Sequence, residues 1–208
     1  MNAREAILGA VRASLGRGEL DAARRAELEA RVPAHTRPAI DEDPVERFVR
    51  KFESRAGTVA RIDDRSQIVA AVEAYRASHD LSKRAAVGGA LRELKWPRGW
   101  KVHHDPAGID EALSVTTCFV AVAETGSLIF ASGPDNPITH NFVPDDHIVV
   151  LERGQIVTHF EDAWPLLRAH GIPRATNIVS GPSRTADVEQ TIQLGAHGPR
   201  RVHVILIG

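Results

Sequence analysis

The sequence contains one cysteine, Cys118. A lone cysteine excludes an internal disulfide, and one thiol cannot hold an iron–sulfur cluster, which takes several thiolate ligands. Cys118 lies inside the apolar run Val115 to Val122, so a buried, inert thiol is expected rather than a nucleophile. No apolar run approaches the roughly 20 residues that span a bilayer. The first residues lack the basic-then-apolar layout of a signal peptide, and a cytoplasmic location is expected. An excess of one charge is missing as well: 26 Lys and Arg face 27 Asp and Glu, a net charge of −1. That balance gives no support for a broad nucleic-acid surface. There is no internal repeat, Walker loop, complete Rossmann glycine fingerprint, paired CxxC or Gly-x-Ser-x-Gly elbow.

What remains is the composition of an ordinary soluble protein, 43% hydrophobic and 25% charged over 208 residues. That length is enough for a real hydrophobic core. Residues 3–15 have helical spacing, with Ile7, Leu8, Val11 and Leu15 on one face and Gly16 as the stop. A second helix over about 21–31 has little to bury beyond Leu28 and its alanines, as on a surface or against a partner chain. The proline-rich stretch from Pro33 to Pro44 reads as a linker. The expected organisation is therefore a helical arm and linker over 1–43 and a globular α/β domain over 44–208.

Within the body, Val45, Phe48, Val49 and Phe52 mark a helix and residues 58–62 a strand. Ser66 is the expected cap of a helix bearing Ile68, Val69, Val72 and Tyr75. Residues 85–88 form a short strand before Gly89. His103 and His104 would point to opposite faces of a strand, which makes a poor metal pair. Residues 115–123 read as one strand covered on both faces. Residues 147–151 and 155–157 read as a hairpin turning at Arg153-Gly154. Asp162 is the expected cap of the helix that follows.

Glu124 ends the buried run. A carboxylate there is either a general acid, base or nucleophile, or a structural group holding turn amides. The polar loop from Ser132 to Asn141 is dense in breakers, and Asn136, His140 and Asn141 suit a small polar ligand. His140 and His147 are the best metal candidates, but no acidic spacing accompanies them, and no metal site is expected.

The last third reads as strand 175–179, a polar turn 180–185, a helix and strand 201–207. The helix has Ser183 or Thr185 as cap, Asp187 and Glu189 in its first turn, Val188 and Ile192 as apolar positions, and Gly195 as its stop. This is the pattern of a βαβ unit. At the end of a parallel strand, the turn amides with Ser183, Arg184 and Thr185 can hold an anion, or the hydroxyls can simply cap the helix.

Four blocks then occur in order: Ala123-Glu124-Thr125-Gly126-Ser127, Pro144 to Val150, Gly181 to Glu189, and Gly195-Ala196-His197-Gly198-Pro199. Together they resemble the lactate utilization protein C (LutC/YkgG) family of the LUD domain. Ser127 stands where that family more often has Thr, which keeps the hydroxyl. The resemblance implies an α/β three-layer sandwich with a mainly parallel sheet, similar to the glucosamine-6-phosphate deaminase, ribose-5-phosphate isomerase and CoA-transferase group. It implies a role in oxidising L-lactate to pyruvate as the non-iron–sulfur subunit, beside partner subunits that carry the clusters. No cofactor is expected on this chain itself, and a homo-oligomer is left open. The polar residues of the family blocks set the expected site. Glu124, His147 and His197 are its catalytic candidates. Thr125, Gly126, Ser127, Gly181, Ser183, Arg184, Thr185 and Asp187 are its ligand-binding candidates, with Asn136 from the loop.

Two hypotheses of different class follow. In the first, the chain binds its partners, with lactate or pyruvate as a candidate ligand, Arg184 on the carboxylate and His197 or His147 taking the hydroxyl proton. In the second, it is a stand-alone CoA-transferase-like or sugar-phosphate-isomerase-like enzyme using Glu124, with the 180–185 turn on a phosphate or oxyanion. A binding module without chemistry, using the arm as its partner surface, is the third possibility.

Overall fold

The computed structural model describes residues 2–16, 18, 20–31, 36–185, 193–195 and 197–208. It divides into two units, residues 1–38 and 39–208.

The first unit is helical. Asn2 caps α1 (Ala3–Leu15) through a capping box with Glu5, and Gly16 ends it in the left-handed region. Asp21 caps α2 (Ala22–Ala30), accepting the Arg24 N–H at 2.7 Å. Ile7, Leu8, Val11 and Leu15 share one face and are all exposed.

The second unit holds two sheets. Its elements are α3 (Pro44–Glu53), β1 (Thr58–Ile62), α4 (Ile68–Ser78), β2 (Arg84–Val87), β3 (Lys101–His103), β4 (Leu113–Thr117), β5 (Val120–Val122) and β6 (Ser127–Ala131). There follow α5 (Ile138–Phe142), β7 (Asp146–Glu152), β8 (Ile156–Val157), α6 (Phe160–His170), β9 (Thr176–Val179), β10 (Arg184–Thr185), β11 (Gln193–Leu194) and β12 (Arg201–Ile207). The larger sheet has the order β1-β12-β7-β4-β2-β3, and every pair in it is parallel. The smaller has the order β8-β5-β6-β9, in which β6 runs antiparallel to both neighbours.

Period-two burial assigns the faces. Val115, Ile148, Val150 and Ile205 pack with Ile68 and Val72 of α4. Val149, Leu151, Val204 and Leu206 pack on the other side with Phe48 and Phe52 of α3 and with Leu128 and Phe130 of β6. The far face of the small sheet, with Val120, Val122 and Ile129, meets Ala163 of α6. The class is α/β with a mainly parallel sheet, and the small sheet lies against one of its faces.

Several sequence expectations change here. The run 115–123 is two strands, because the chain leaves the large sheet at Cys118 and enters the small one at Val120. An apolar run buried between two sheets looks the same as one buried within a single sheet. Residues 147–157 form no hairpin: β7 and β8 belong to different sheets, joined by a 3-10 turn over Arg153–Gln155. Asp64, not Ser66, caps the turn leading into α4, accepting the Ser66 N–H at 2.7 Å. Asp162 is three residues into α6 and bonds back to the N–H of His159, the cap position.

The closing βαβ unit is also corrected. β9 is antiparallel to β6 in the small sheet, whereas β12 is in the large one. Arg184–Thr185 and Gln193–Leu194 pair as antiparallel strands where the two ends of the expected helix should lie. Asp187, Val188, Glu189 and Ile192 lie outside the described residues.

Candidate functional site

Two stretches far apart in sequence form the walls of one cavity. The segment leaving β9 and the segment entering β12 are tied at the backbone: Ser183 N–H donates to Pro199 O at 2.9 Å, and Gly195 N–H to Ser183 O at 3.0 Å. The N–H of His197 reaches Ser183 Oγ at 3.4 Å. Between these segments and α5 lies a cavity of about 270 Å³, lined by Asn141, Phe142, Ser180, Gly181, Ser183 and His197 among others. Gly181 is required by geometry: its φ is +93°, and a Cβ there would lie 2.7 Å from the carbonyl oxygen of Arg55.

The first family block reaches this wall through hydroxyls. Thr125 Oγ1 lies 2.7 Å from Ser127 Oγ, which lies 2.6 Å from Ser180 Oγ. Two of the four blocks therefore line one cavity, and the first touches its wall through Ser180. The cavity sits beside the N-terminal ends of β7 and β12, not at the carboxyl end of a parallel strand as the βαβ reading required.

Asn141 is almost fully buried, at 1% exposure, and neither its Oδ1 nor its Nδ2 has a hydrogen-bond partner. An amide buried in that state costs about 1–3 kcal/mol for each unpaired group. Its lining partners present hydroxyls and an imidazole. This set suits a small polar molecule able to donate and accept hydrogen bonds.

The remaining expected residues are distributed elsewhere. His147 is fully buried behind the site, with its Nε2 2.7 Å from Thr116 Oγ1 and its ring 5.4 Å from that of Phe130. Burial pushes its pKa down to about 3, and it does not line the cavity. Glu124 accepts the N–H of Phe160 at 3.0 Å and so holds the start of α6. That is the structural alternative for this carboxylate, and Glu124 does not line the cavity. Gly126 serves packing: its φ is +66°, and a Cβ would lie 2.6 Å from the backbone nitrogen of Phe52. Asn136 belongs to a different cavity, with Ala131, Asp135 and His170, and its Nδ2 donates to Ala131 O at 3.4 Å. Arg184 is exposed on β10 and does not line the cavity. Thr185 sits beside it in β10, and Asp187 lies outside the described residues.

The block at 144–150 contributes an anchor. Asp146 is fully buried and takes both Arg201 nitrogens, Nε at 2.6 Å and Nη2 at 2.7 Å. Tyr75 donates its hydroxyl to Asp146 Oδ1 at 2.7 Å, and burial with this carboxylate raises the phenol's pKa. Arg201 and Asp146 are register partners, so the pair clamps the start of β12 to the start of β7, next to the cavity wall.

Sequence reasoning missed Phe142, which no pattern marks in so short a helix, and it ranked Asn141 only as one polar group of a loop. No group of three or more His, Cys, Asp or Glu that could hold a metal occurs among the described residues. Cys118 is the single thiol of this sequence, and burial pushes it up to about 12. No helix among the described residues is long and apolar enough to cross a membrane.

The site and the two sheets define a class of α/β protein whose motif blocks converge from distant strands. Residues 110–207 match the model of the LUD domain family. It is 35% identical over 101 residues to the uncharacterized protein NMB1437 of Neisseria meningitidis serogroup B, covering 48% of this chain and 42% of that protein. It is 36% identical over 105 residues to lactate utilization protein C of Deinococcus radiodurans, covering 49% of this chain and 50% of that one. With lactate utilization protein C of Bacillus licheniformis, the match is 30% over 143 residues, covering 62% and 59%. The chain thus spans about half the length of the curated relatives it matches. A crystal structure of a DUF162 family protein from Deinococcus radiodurans superposes with a TM-score of 0.63 at 21% identity, covering 82% of this chain and all of that one, which establishes the shared fold.

Proposed function

We propose that the chain acts in L-lactate utilisation as the non-iron–sulfur component of an assembly that oxidises L-lactate to pyruvate, and that the cavity between α5, β9 and the 197–199 segment receives the substrate or product. The observation that carries the reading is the convergence of the family blocks on a polar cavity. The relatives named lactate utilization protein C supply the substrate class. The oxidation removes two electrons and two protons from the carbinol. With its single cysteine the chain would leave the two electrons, and the proton lost from the carbinol carbon, to partner subunits whose iron–sulfur clusters would supply the electron acceptors. The chain's own work is then to bind and orient, with Ser180 and Ser183 holding the molecule and the His197 imidazole at the wall accepting the hydroxyl proton. The carboxylate contact given to Arg184 passes to these groups, since Arg184 lies off the cavity. The stand-alone enzyme reading is less favoured at this cavity, because Glu124 accepts the Phe160 N–H and does not line it.

The test is anaerobic capture of the tagged protein from lactate-grown cells of its own source. Iron-bearing partners and lactate-dependent dye reduction in the eluate support the reading. A colourless protein without activity, captured while its partners are expressed, overturns it.

A further inference from the structure

The short helix α5 is built inside out. Its buried side chains are polar: His140 and Asn141 are 0% and 1% exposed. This side is anchored to the body, where Ser114 Oγ donates to His140 O at 2.6 Å and His140 Nε2 meets Asp105 O at 2.9 Å. The outward side chains are apolar. Ile138 and Phe142 lie one turn apart on one face and are both exposed, as is Val143 at the end of the helix. A surface helix normally turns its apolar stripe to the core and its polar side to water. The reverse arrangement leaves apolar area in water, which a covering partner removes.

This outward face adjoins the cavity. Phe142 and Ile178 of β9 each line the cavity and are each exposed, at 37% and 46%, so they stand at its mouth. β9 is the outer strand of the small sheet. Charged groups border the patch: Asp145 and Arg200 are exposed and 3.8 Å apart. Asp145 lies two residues beyond Val143, and Arg200 directly follows Pro199 of the cavity wall. An apolar centre with a polar rim is the usual build of a protein interface.

The chemistry assigned to the cavity names the occupant. In the proposed function the hydroxyl proton of lactate goes to His197, and two electrons with the carbinol C–H proton leave to a partner subunit. The acceptor has to reach the substrate, and the mouth is where the cavity meets the surface. We infer that Ile138, Phe142, Val143 and Ile178 form the docking surface for the iron–sulfur subunit that accepts the electrons, which closes over the cavity. This rests on the proposed function and adds to it the place where the two subunits meet.

Anaerobic capture on the tagged chain tests it, with the iron-bearing subunit identified by mass spectrometry and iron measured per captured chain. The wild type is compared with Ile138→Glu/Val143→Glu, neither of which lines the cavity, and with Ile109→Glu, a 98% exposed position between β3 and β4. Iron is expected to fall by about tenfold or more in the double variant, the effect of placing charge in an interface centre, and to stay at the wild-type level in Ile109→Glu. Melting temperature and calorimetric binding of L-lactate by the double variant alone are expected to match the wild type, which a structural role of these side chains would not allow. Where the glutamate variant fails to fold, Ile138→Ser/Val143→Ser decides, with a smaller fall in the same direction. Wild-type iron on the folded variant overturns the inference and leaves the proposed function standing. An equal loss in Ile109→Glu overturns it as well. Unchanged iron with an altered oligomeric state of the chain makes the face a contact between copies and overturns the assignment. A wild type that recovers no iron while its partners are expressed removes the proposed function and the inference with it.

Discussion

Ser127 Oγ and Ser180 Oγ lie 2.6 Å apart although 53 residues separate them in the chain. Ser127 opens β6, and Ser180 follows the last residue of β9, its antiparallel partner. The contact joins the small sheet to the wall of the cavity. With Ser127 buried, Ser127→Ala leaves Ser180 short of a partner and is expected to cost about 1 kcal/mol. Removing both hydroxyls is expected to cost less than the sum of the single changes. Urea denaturation of the two single variants and the double variant measures this, and additive costs would show that the contact carries no coupling.

Arg201→Ala is the severe change. It strands a fully buried carboxylate at Asp146, leaving only the Tyr75 hydroxyl, and is expected to cost about 3 kcal/mol, the low end for a broken buried pair because Arg201 is itself partly exposed. Tyr75→Phe keeps the ion pair and removes one neutral donor, for about 1 kcal/mol. Denaturation midpoints should rank wild type, Tyr75→Phe and Arg201→Ala in that order.

Acid should weaken the fold before carboxylates begin to titrate. Burial holds His147 down to about 3 and His203 down to about 4, against roughly 6.5 in the unfolded chain. Both pKa values are depressed on folding. Their full contribution is therefore present above pH 6.5 and is lost as pH falls, because the unfolded chain takes up protons that the native one refuses. Each histidine supplies a slope of up to about 1.4 kcal/mol per pH unit between 6.5 and its folded value. Melting curves from pH 7.5 to pH 5 are expected to shift steadily downward. His203→Gln should flatten the shift, and an unchanged slope would mean that His203 is not a buried neutral group.

Glu124→Gln separates a structural role from a chemical one. The amide oxygen can still accept the Phe160 N–H, so stability is expected to fall by less than about 1 kcal/mol, and lactate-dependent activity of the captured assembly to stay near wild type. Loss of a saturable acyl-transfer or isomerase activity in this variant would instead restore the nucleophile.

Some local signals were legible in the sequence: α3 starts at Pro44, Gly16 ends α1, and the apolar spacing of Ile68, Val72 and Tyr75 marks the inner face of α4, whereas the expected caps Ser66 and Asp162 gave way to Asp64 and His159. Sheet membership was not legible. Nothing in Val115 to Val122 says that the chain changes sheet at Cys118, since both sheets bury the same kinds of side chain. The hairpin at 153–154 and the βαβ unit at the end failed for the same reason, each joining strands of different sheets. At the site, Gly181, Ser183 and His197 were found because they belong to recognisable blocks. Asn141 carried no comparable mark, because the property that singles it out is burial without a partner, and a sequence does not display that.

The central claim is that this cavity serves lactate oxidation, and the most direct measurement is lactate-dependent dye reduction by assemblies captured on the wild type and on a Ser183→Ala/His197→Ala variant, compared at equal bound iron. The account predicts that the variant recruits the same iron and loses most of the activity. Equal activity at equal iron would contradict it and place lactate chemistry wholly on the partner subunits.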